Sequence, residues 1–362
     1  MNVRTLARPE ILAMKPYSSA RKEAPARGVL LNANEAPWPL LEPLPDTRAL
    51  NRYPDPQPMD LVENLAALYG LPEDHVLVTR GSDEGIDLLT RVFCRPGQDA
   101  ILHCPPTFGM YRIAAETQGA AVVSVPRQAA DSFAIDGEKV LETIREDRRI
   151  RLVFMTSPNN PTGDCMAQSF LDALLEATRD RSIVVIDEAY IEFCGKPSAV
   201  ARLAEYPQLA VLRTLSKAWA CAGLRCGALL AQPQVIDLMR RIIAPYPLST
   251  PVTALALRIL QADMRQRQQE MLATIRDNKR ALLSLLANRP FVRGLWPGEA
   301  NFVLLRVPDA RGLLAHCAEQ GVILRGYAND PVLDGCIRIS VGSTQDLDAL
   351  KQALDLWEER QA

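Results

Sequence analysis

The chain reads as an α/β protein: a large domain with a mostly parallel sheet covered by helices, a smaller C-terminal α/β domain and an N-terminal arm. Three observations predict this. Short continuous apolar runs recur from Met59 onward, helical stretches separate them, and a long helical pattern beyond Pro251 leads into a compact tail. Apolar runs without polar alternation belong to strands buried on both faces, the signature of a parallel sheet under helices.

In order, residues 1–28 are polar and broken by Pro9, Pro16 and Pro25, and read as an arm that folds onto something else. A proline-rich connector from Pro37 to Pro58 holds Asn51-Arg52-Tyr53-Pro54. Met59–Leu68 is helix-like and residues 76–79 form a short strand. Residues 80–85 turn into an amphipathic helix, Ile86–Phe93. Strands are expected at 100–102, 121–123, 151–155, 183–186, 209–212 and 227–230, with helices at 110–117, 139–145 and 170–178 between them. A helical pattern then runs over 254–286. Strands at 301–305, 321–324 and 336–341 and helices at 310–319 and 345–358 close the chain. The expected division is an arm at 1–28, a large domain at 29–255 and a small domain at 256–362.

Composition narrows the function. The 41 basic and 43 acidic residues leave a net charge of −2, which argues against a partner held by phosphate neutralisation, so no nucleic acid is expected. No apolar run approaches the ~18 residues of a membrane span. Arg4, Arg8, Pro9 and Glu10 fall where a signal peptide needs its apolar centre, so a cytoplasmic location is expected. The eight cysteines form no C-x-x-C pair and the three histidines are isolated; neither a metal site nor a disulfide framework is expected.

The chemistry collects around Thr214-Leu-Ser-Lys-Ala-Trp-Ala-Cys-Ala-Gly-Leu-Arg225. Lys217 follows a buried-strand pattern and sits among small and apolar neighbours. Desolvation there favours a neutral amine that can attack a carbonyl. In open α/β sheets ligands bind beyond the carboxyl ends of the strands. At those ends stand Asn159-Asn160-Pro161-Thr162-Gly163, then Asp187-Glu188-Ala189-Tyr190, then Lys217, while Gly81-Ser82-Asp83 opens a helix. Each is unremarkable alone, as a turn, an N-cap or a surface cation; the ordered set on one sheet is not.

That set resembles the fold type I pyridoxal-phosphate enzymes of the class I/II aminotransferase superfamily, along nearly the whole chain. The segments most similar to members acting on histidinol phosphate are residues 31–35, 51–54, 80–85, 104–111, 187–193, 214–227 and 243–250. The resemblance implies pyridoxal 5'-phosphate as cofactor, with Lys217 bound to its aldehyde and later acting as base, and Asp187 facing its ring nitrogen. Asn160 and Tyr190 would bond its phenolic oxygen. The Ser82 and Asp83 amides, Thr214, Ser216 and Arg225 would hold its phosphate, with Phe108 stacked on the ring where relatives often carry tyrosine. Tyr53 would reach the site of the partner in a homodimer. Arg338 would clamp the substrate's acidic group, with Arg325 and Tyr17 as further contacts to a substrate phosphate. The implied reaction transfers an amino group between L-histidinol phosphate and 2-oxoglutarate, giving imidazole-acetol phosphate and glutamate, in histidine biosynthesis. Alternatives are an aromatic amino-acid aminotransferase, a decarboxylase of an amino-acid phosphate that uses the same cofactor, and a cofactor-sensing regulator. The last would be expected to carry a DNA-binding domain and basic surface.

Overall fold

A strand that is apolar over consecutive positions must be covered on both faces, and residues 152–155 of strand 150–156 show how this works out. Leu152 and Phe154 point into one core, with Ile86, Leu89 and Tyr111; Val153 and Met155 point into another, with Leu171 and Leu174. The structure, a computed structural model, describes residues 29–32, 34, 37–38, 54–128, 132–328 and 330–361. The expected arm, Tyr17 and Tyr53 lie outside these residues.

The elements run β1 (Val29–Leu30), α1 (Met59–Tyr69), β2 (Val76–Thr79), α2 (Ser82–Phe93), β3 (Ala100–His103), α3 (Met110–Gln118) and β4 (Ala121–Ser124). Next come α4 (Gly137–Glu146), β5 (Ile150–Thr156), α5 (Gln168–Ala177), β6 (Ile183–Asp187), β7 (Leu209–Thr214) and β8 (Gly227–Ala231). They are followed by α6 (Pro233–Arg240), α7 (Thr250–Ile259), α8 (Ala262–Ala287), β9 (Gly294–Trp296) and β10 (Phe302–Arg306). The chain closes with α9 (Ala310–Glu319), β11 (Val322–Ile323), β12 (Arg325–Gly326), β13 (Cys336–Ser340) and α10 (Thr344–Gln361).

A seven-stranded sheet has the order β2-β8-β7-β6-β5-β3-β4. Its strands β7, β6, β5, β3 and β4 are parallel, and β8 runs antiparallel to both neighbours. The mostly parallel sheet expected from the apolar runs is therefore present. A second sheet, β12-β13-β10-β9, is antiparallel throughout.

Four details depart from the sequence reading. The helical pattern over 254–286 is two helices, because Gln261 is extended (ψ 159°) between α7 and α8. No glycine or proline marks that break; Arg258 secures it by bonding Asp263, and Arg265 Nε donates to the Leu260 carbonyl at 2.7 Å. The strand read at 321–324 is shortened to β11, and a second strand, β12, follows it with a different partner. Helix α6 and strand β9 have no counterpart in the sequence reading. Strand β1 pairs in parallel with β11, so this early segment hydrogen-bonds to the tail rather than to the large sheet. We propose the division near residue 255, which falls within α7, as the boundary of two domains.

The loop after β5 and the loop before β10 meet at a seam of glycines. Glu299 N–H donates to the Gly163 carbonyl at 2.7 Å. Gly163 adopts φ +78°, and a Cβ there would lie 2.8 Å from Gly298 Cα. The seam is braced from α8 by Lys279, whose ammonium donates to the carbonyls of Gly298 at 2.8 Å and Ala300 at 2.6 Å. Burial pulls that amine down to about 8, with Glu299 pushing back.

Candidate active site

In-register pairing lines up the carboxyl ends of three neighbouring parallel strands: Thr156 stands across from Asp187, and Asp187 from Leu212. Asp187 follows four apolar residues of β6 and is buried, as are the three directly before it. Tyr111 O–H donates to its Oδ2 at 2.8 Å and Ala189 N–H to its Oδ1 at 3.1 Å. Burial raises this carboxyl to about 6; the two hydrogen bonds pull it down, and the nearby Asp83 and Glu188 push it up.

Lys217 sits in a tight turn after β7. Leu215 N–H bonds the Cys226 carbonyl at 2.9 Å and Ala220 N–H bonds the Lys217 carbonyl at 3.0 Å, so the turn folds back toward β8. Its ammonium lies 5.9 Å from the centre of the Tyr190 ring. Tyr190 is buried, meets Phe302 of β10 edge-on at 5.3 Å, and accepts a hydrogen bond from Asn34 Nδ2 at 3.2 Å. Burial raises its pKa, while the Arg338 charge lowers it. Asn34 in turn exchanges bonds of 3.0 and 2.8 Å with Ser340 Oγ, at the end of β13.

Arg338, in the middle of β13, donates from Nη1 to Asn160 Oδ1 and from Nη2 to the Asn32 carbonyl at 2.9 Å. Its guanidinium lies over Phe302 at 5.2 Å, and its buried Nε has no hydrogen-bond partner among the described residues. Arg325 stands directly opposite Arg338 in the β12–β13 register and lies 5.9 Å from the Tyr327 ring. The second sheet thus delivers one guanidinium to the turn that carries Asn160 and sets another beside it.

A third cluster forms where α2 begins. Gly81 is its N-cap at φ +76°, and no side chain caps the helix, so the first-turn amides are left to whatever lies in front of them. Thr214 Oγ1 donates to Ser216 Oγ at 2.9 Å, and Arg225 reaches Ser216 Oγ at 3.4 Å and Asp83 Oδ2 at 3.2 Å. A Cβ on residue 81 would stand 2.8 Å from Arg225 Nη2, so the close approach needs glycine. Desolvation raises the half-buried Asp83, and Arg225 and then Lys217 act against that rise.

Arg338 joins Asn160 and lies over Phe302, which meets the Tyr190 ring that faces Lys217; Arg225 joins Ser216 and Asp83 where Ser82 opens α2, and Asp83 acts electrostatically on Asp187. Phe108 is half-buried and meets Tyr111 edge-on at 5.8 Å. The Asp83 carboxylate bonds Arg225, whereas the sequence points only to its amide. Sequence reasoning also gave no role to Tyr111, Thr156, Asn34 or Ser340. Tyr111 lies in the first turn of α3, directly after the loop that carries Phe108; Asn34 and Ser340 are 306 positions apart and had no local signal.

The sequence profile described as Aminotransferase class I and II matches residues 17–354. The chain belongs to the class I and II aminotransferases. Histidinol-phosphate aminotransferase of Cronobacter sakazakii is 43% identical over 354 residues, covering 98% of this chain and 97% of that protein. The same-named protein of Aeromonas hydrophila is also 43% identical over 354 residues, covering 98% of each. In fold, this class I and II aminotransferase is similar to the crystal structure of histidinol-phosphate aminotransferase from Sinorhizobium meliloti in complex with pyridoxal-5'-phosphate, with a TM-score of 0.86, 22% identity and 98% of each chain covered.

The residues present fit that cofactor. A buried carboxylate matches a protonated ring nitrogen, uncapped amides beside Ser216 and Arg225 match a phosphate, and the amine of Lys217 matches an aldehyde.

Proposed function

We propose that this aminotransferase transfers the amino group of L-histidinol phosphate to 2-oxoglutarate, giving imidazole-acetol phosphate and glutamate, in histidine biosynthesis. Full-length identity to histidinol-phosphate aminotransferases supports the substrate. One observation carries the site: Arg338, from the second sheet, bonds Asn160 and lies over Phe302, which meets the Tyr190 ring that faces Lys217.

Pyridoxal phosphate, when bound, supplies an electrophilic carbonyl and a ring that accepts electrons. Lys217 would hold it and, once released, its Nζ would take the substrate α-proton and later give it up. Asp187 would keep a proton on the ring nitrogen. Asn160 and Tyr190 would hold the ring oxygen, Phe108 would cover a ring face, and the Ser82 and Asp83 amides, Thr214, Ser216 and Arg225 would hold the phosphate. Arg338 orients the acidic group of either substrate, a carboxylate or a phosphate, because a planar guanidinium fork suits both. Arg325, beside it, adds charge toward a substrate phosphate; Tyr17 belongs to the same proposal. The working unit is a homodimer in which Tyr53 completes the partner's site, located in the cytoplasm.

Two experiments test this. Lys217→Ala should abolish the adduct trapped by borohydride and lower kcat by about 1,000-fold or more. A panel of amino donors mixed with the holoenzyme should bleach the cofactor's visible band with histidinol phosphate and with glutamate. Faster bleaching by tyrosine or phenylalanine than by histidinol phosphate would replace the reading with an aromatic aminotransferase.

A further inference from the structure

We infer that Tyr111 is a positioning residue for this reaction: its hydroxyl, clamped between Thr156 and Asp187, holds the Asp187 carboxylate in the orientation that receives the cofactor's ring nitrogen. The inference rests on the function proposed above and deepens it by one residue.

The geometry gives the hydroxyl a single arrangement. Tyr111 is fully buried, stacked on Phe154 at 4.7 Å with ring planes 7° apart. Its oxygen lies 2.8 Å from Asp187 Oδ2 and 2.7 Å from Thr156 Oγ1. An ionised carboxylate only accepts, so the tyrosine proton must point at Asp187, and Thr156 must then donate to the tyrosine oxygen. Thr156 lies 3.2 Å from Thr107 Oγ1, which donates to Asn159 Oδ1 at 2.8 Å. Asn159 Nδ2 is fixed on the Pro106 carbonyl at 3.0 Å and on Thr162 Oγ1 at 2.7 Å. With the Thr156 proton on Tyr111 and the Thr107 proton on Asn159, the donor chain runs from Thr156 through Tyr111 to Asp187, and the Thr107 hydroxyl only packs against its start.

With Ala189 N–H on Oδ1 and Tyr111 O–H on Oδ2, each carboxylate oxygen has one donor, which fixes the plane of the group. Phenylalanine would fill the same stacked position, so packing alone does not explain the hydroxyl. The neighbouring acids, Asp83 from α2 and Glu188 from the strand end, both oppose a charge on Asp187; Tyr190 and Lys217 face the same space. Tyr111 and the Ala189 amide are what favour the ionised form.

The test is the dissociation constant of pyridoxal phosphate from the full-length holoenzyme, measured by the bound cofactor's absorbance between about pH 5 and 9. Wild type, Tyr111→Phe, Thr156→Val and Asp187→Asn are compared, so that the ligand's own titration cancels. Tyr111→Phe is expected to weaken binding about tenfold or more and to move the pH midpoint of binding upward. Thr156→Val, which keeps the tyrosine but removes its donor, should move both in the same direction by less, and serves if Tyr111→Phe does not fold. Unchanged affinity and midpoint in both variants, with a clear loss in Asp187→Asn, would overturn the inference and leave the proposed function standing. A wild-type protein that binds no pyridoxal phosphate would sink the proposed function itself.

Discussion

The two sheets contribute to the site in opposite ways. The parallel sheet presents its chemistry at strand ends, where Asp187 and Thr214 finish β6 and β7, and the turn carrying Lys217 follows. The antiparallel sheet presents Arg338 and Arg325 from within strands, facing each other across β12 and β13. Strand ends in a parallel sheet leave side chains beside loops and helix N-termini, where cofactors bind. A residue inside an antiparallel strand faces whatever lies on that side of the sheet, and only docking against another unit gives it something to do. Half of the site is therefore a property of one sheet, and half is a property of the seam.

That contrast can be broken experimentally. The largest effect is expected from Arg338→Ala. It removes a buried guanidinium that bonds Asn160 and the Asn32 carbonyl, and kcat/KM should fall roughly 100-fold for both glutamate and histidinol phosphate. Steady-state kinetics on each substrate decide it; a defect confined to one would show that the clamp is not shared.

Gly163→Ala probes the seam. It places a Cβ 2.8 Å from Gly298 Cα at a positive φ, and should cost about 2–4 kcal/mol. The measurement is the urea midpoint, and an unshifted midpoint would mean that the units yield freely at this contact.

Asp187→Asn gives a smaller, pH-dependent effect. Burial raises this carboxyl from 3.8 to about 6, so the folded chain holds its proton more tightly than the unfolded chain does. Its unfavourable contribution is absent below about pH 4, grows between about pH 4 and 6, and is complete above that. In cofactor-free protein the variant should therefore be the more stable by on the order of 2 kcal/mol at about pH 8, with the gap closing toward pH 4. Thermal melts across that range check the sign, and a gap that widens at low pH would contradict it.

Legibility followed the same division. The parallel strands other than the edge strand β4 could be read because both faces are buried, which leaves uninterrupted apolar runs. Their end residues could be read because Asn160, Asp187 and Lys217 sit in short motifs of fixed order. The break at Gln261 could not be read, because side-chain bonds from Arg258 and Arg265 hold it without a breaker residue. Strands β9, β11 and β12 span two or three residues each, too few for any periodicity to register.

By itself the sequence determined the α/β class, the order of the parallel strands' end residues, and the family to which they belong. Those follow from local composition: burial on both faces dictates apolar runs, and the chemistry at each strand end lies within a few residues of it. Only the tertiary structure decided that β1 pairs with β11, that Asn34 links Ser340 to Tyr190, that Asp83 answers Arg225, and that Tyr111 closes on Asp187. Those contacts join residues between 76 and 306 positions apart, and no local pattern encodes a hydrogen bond whose two halves meet only after the sheets have packed.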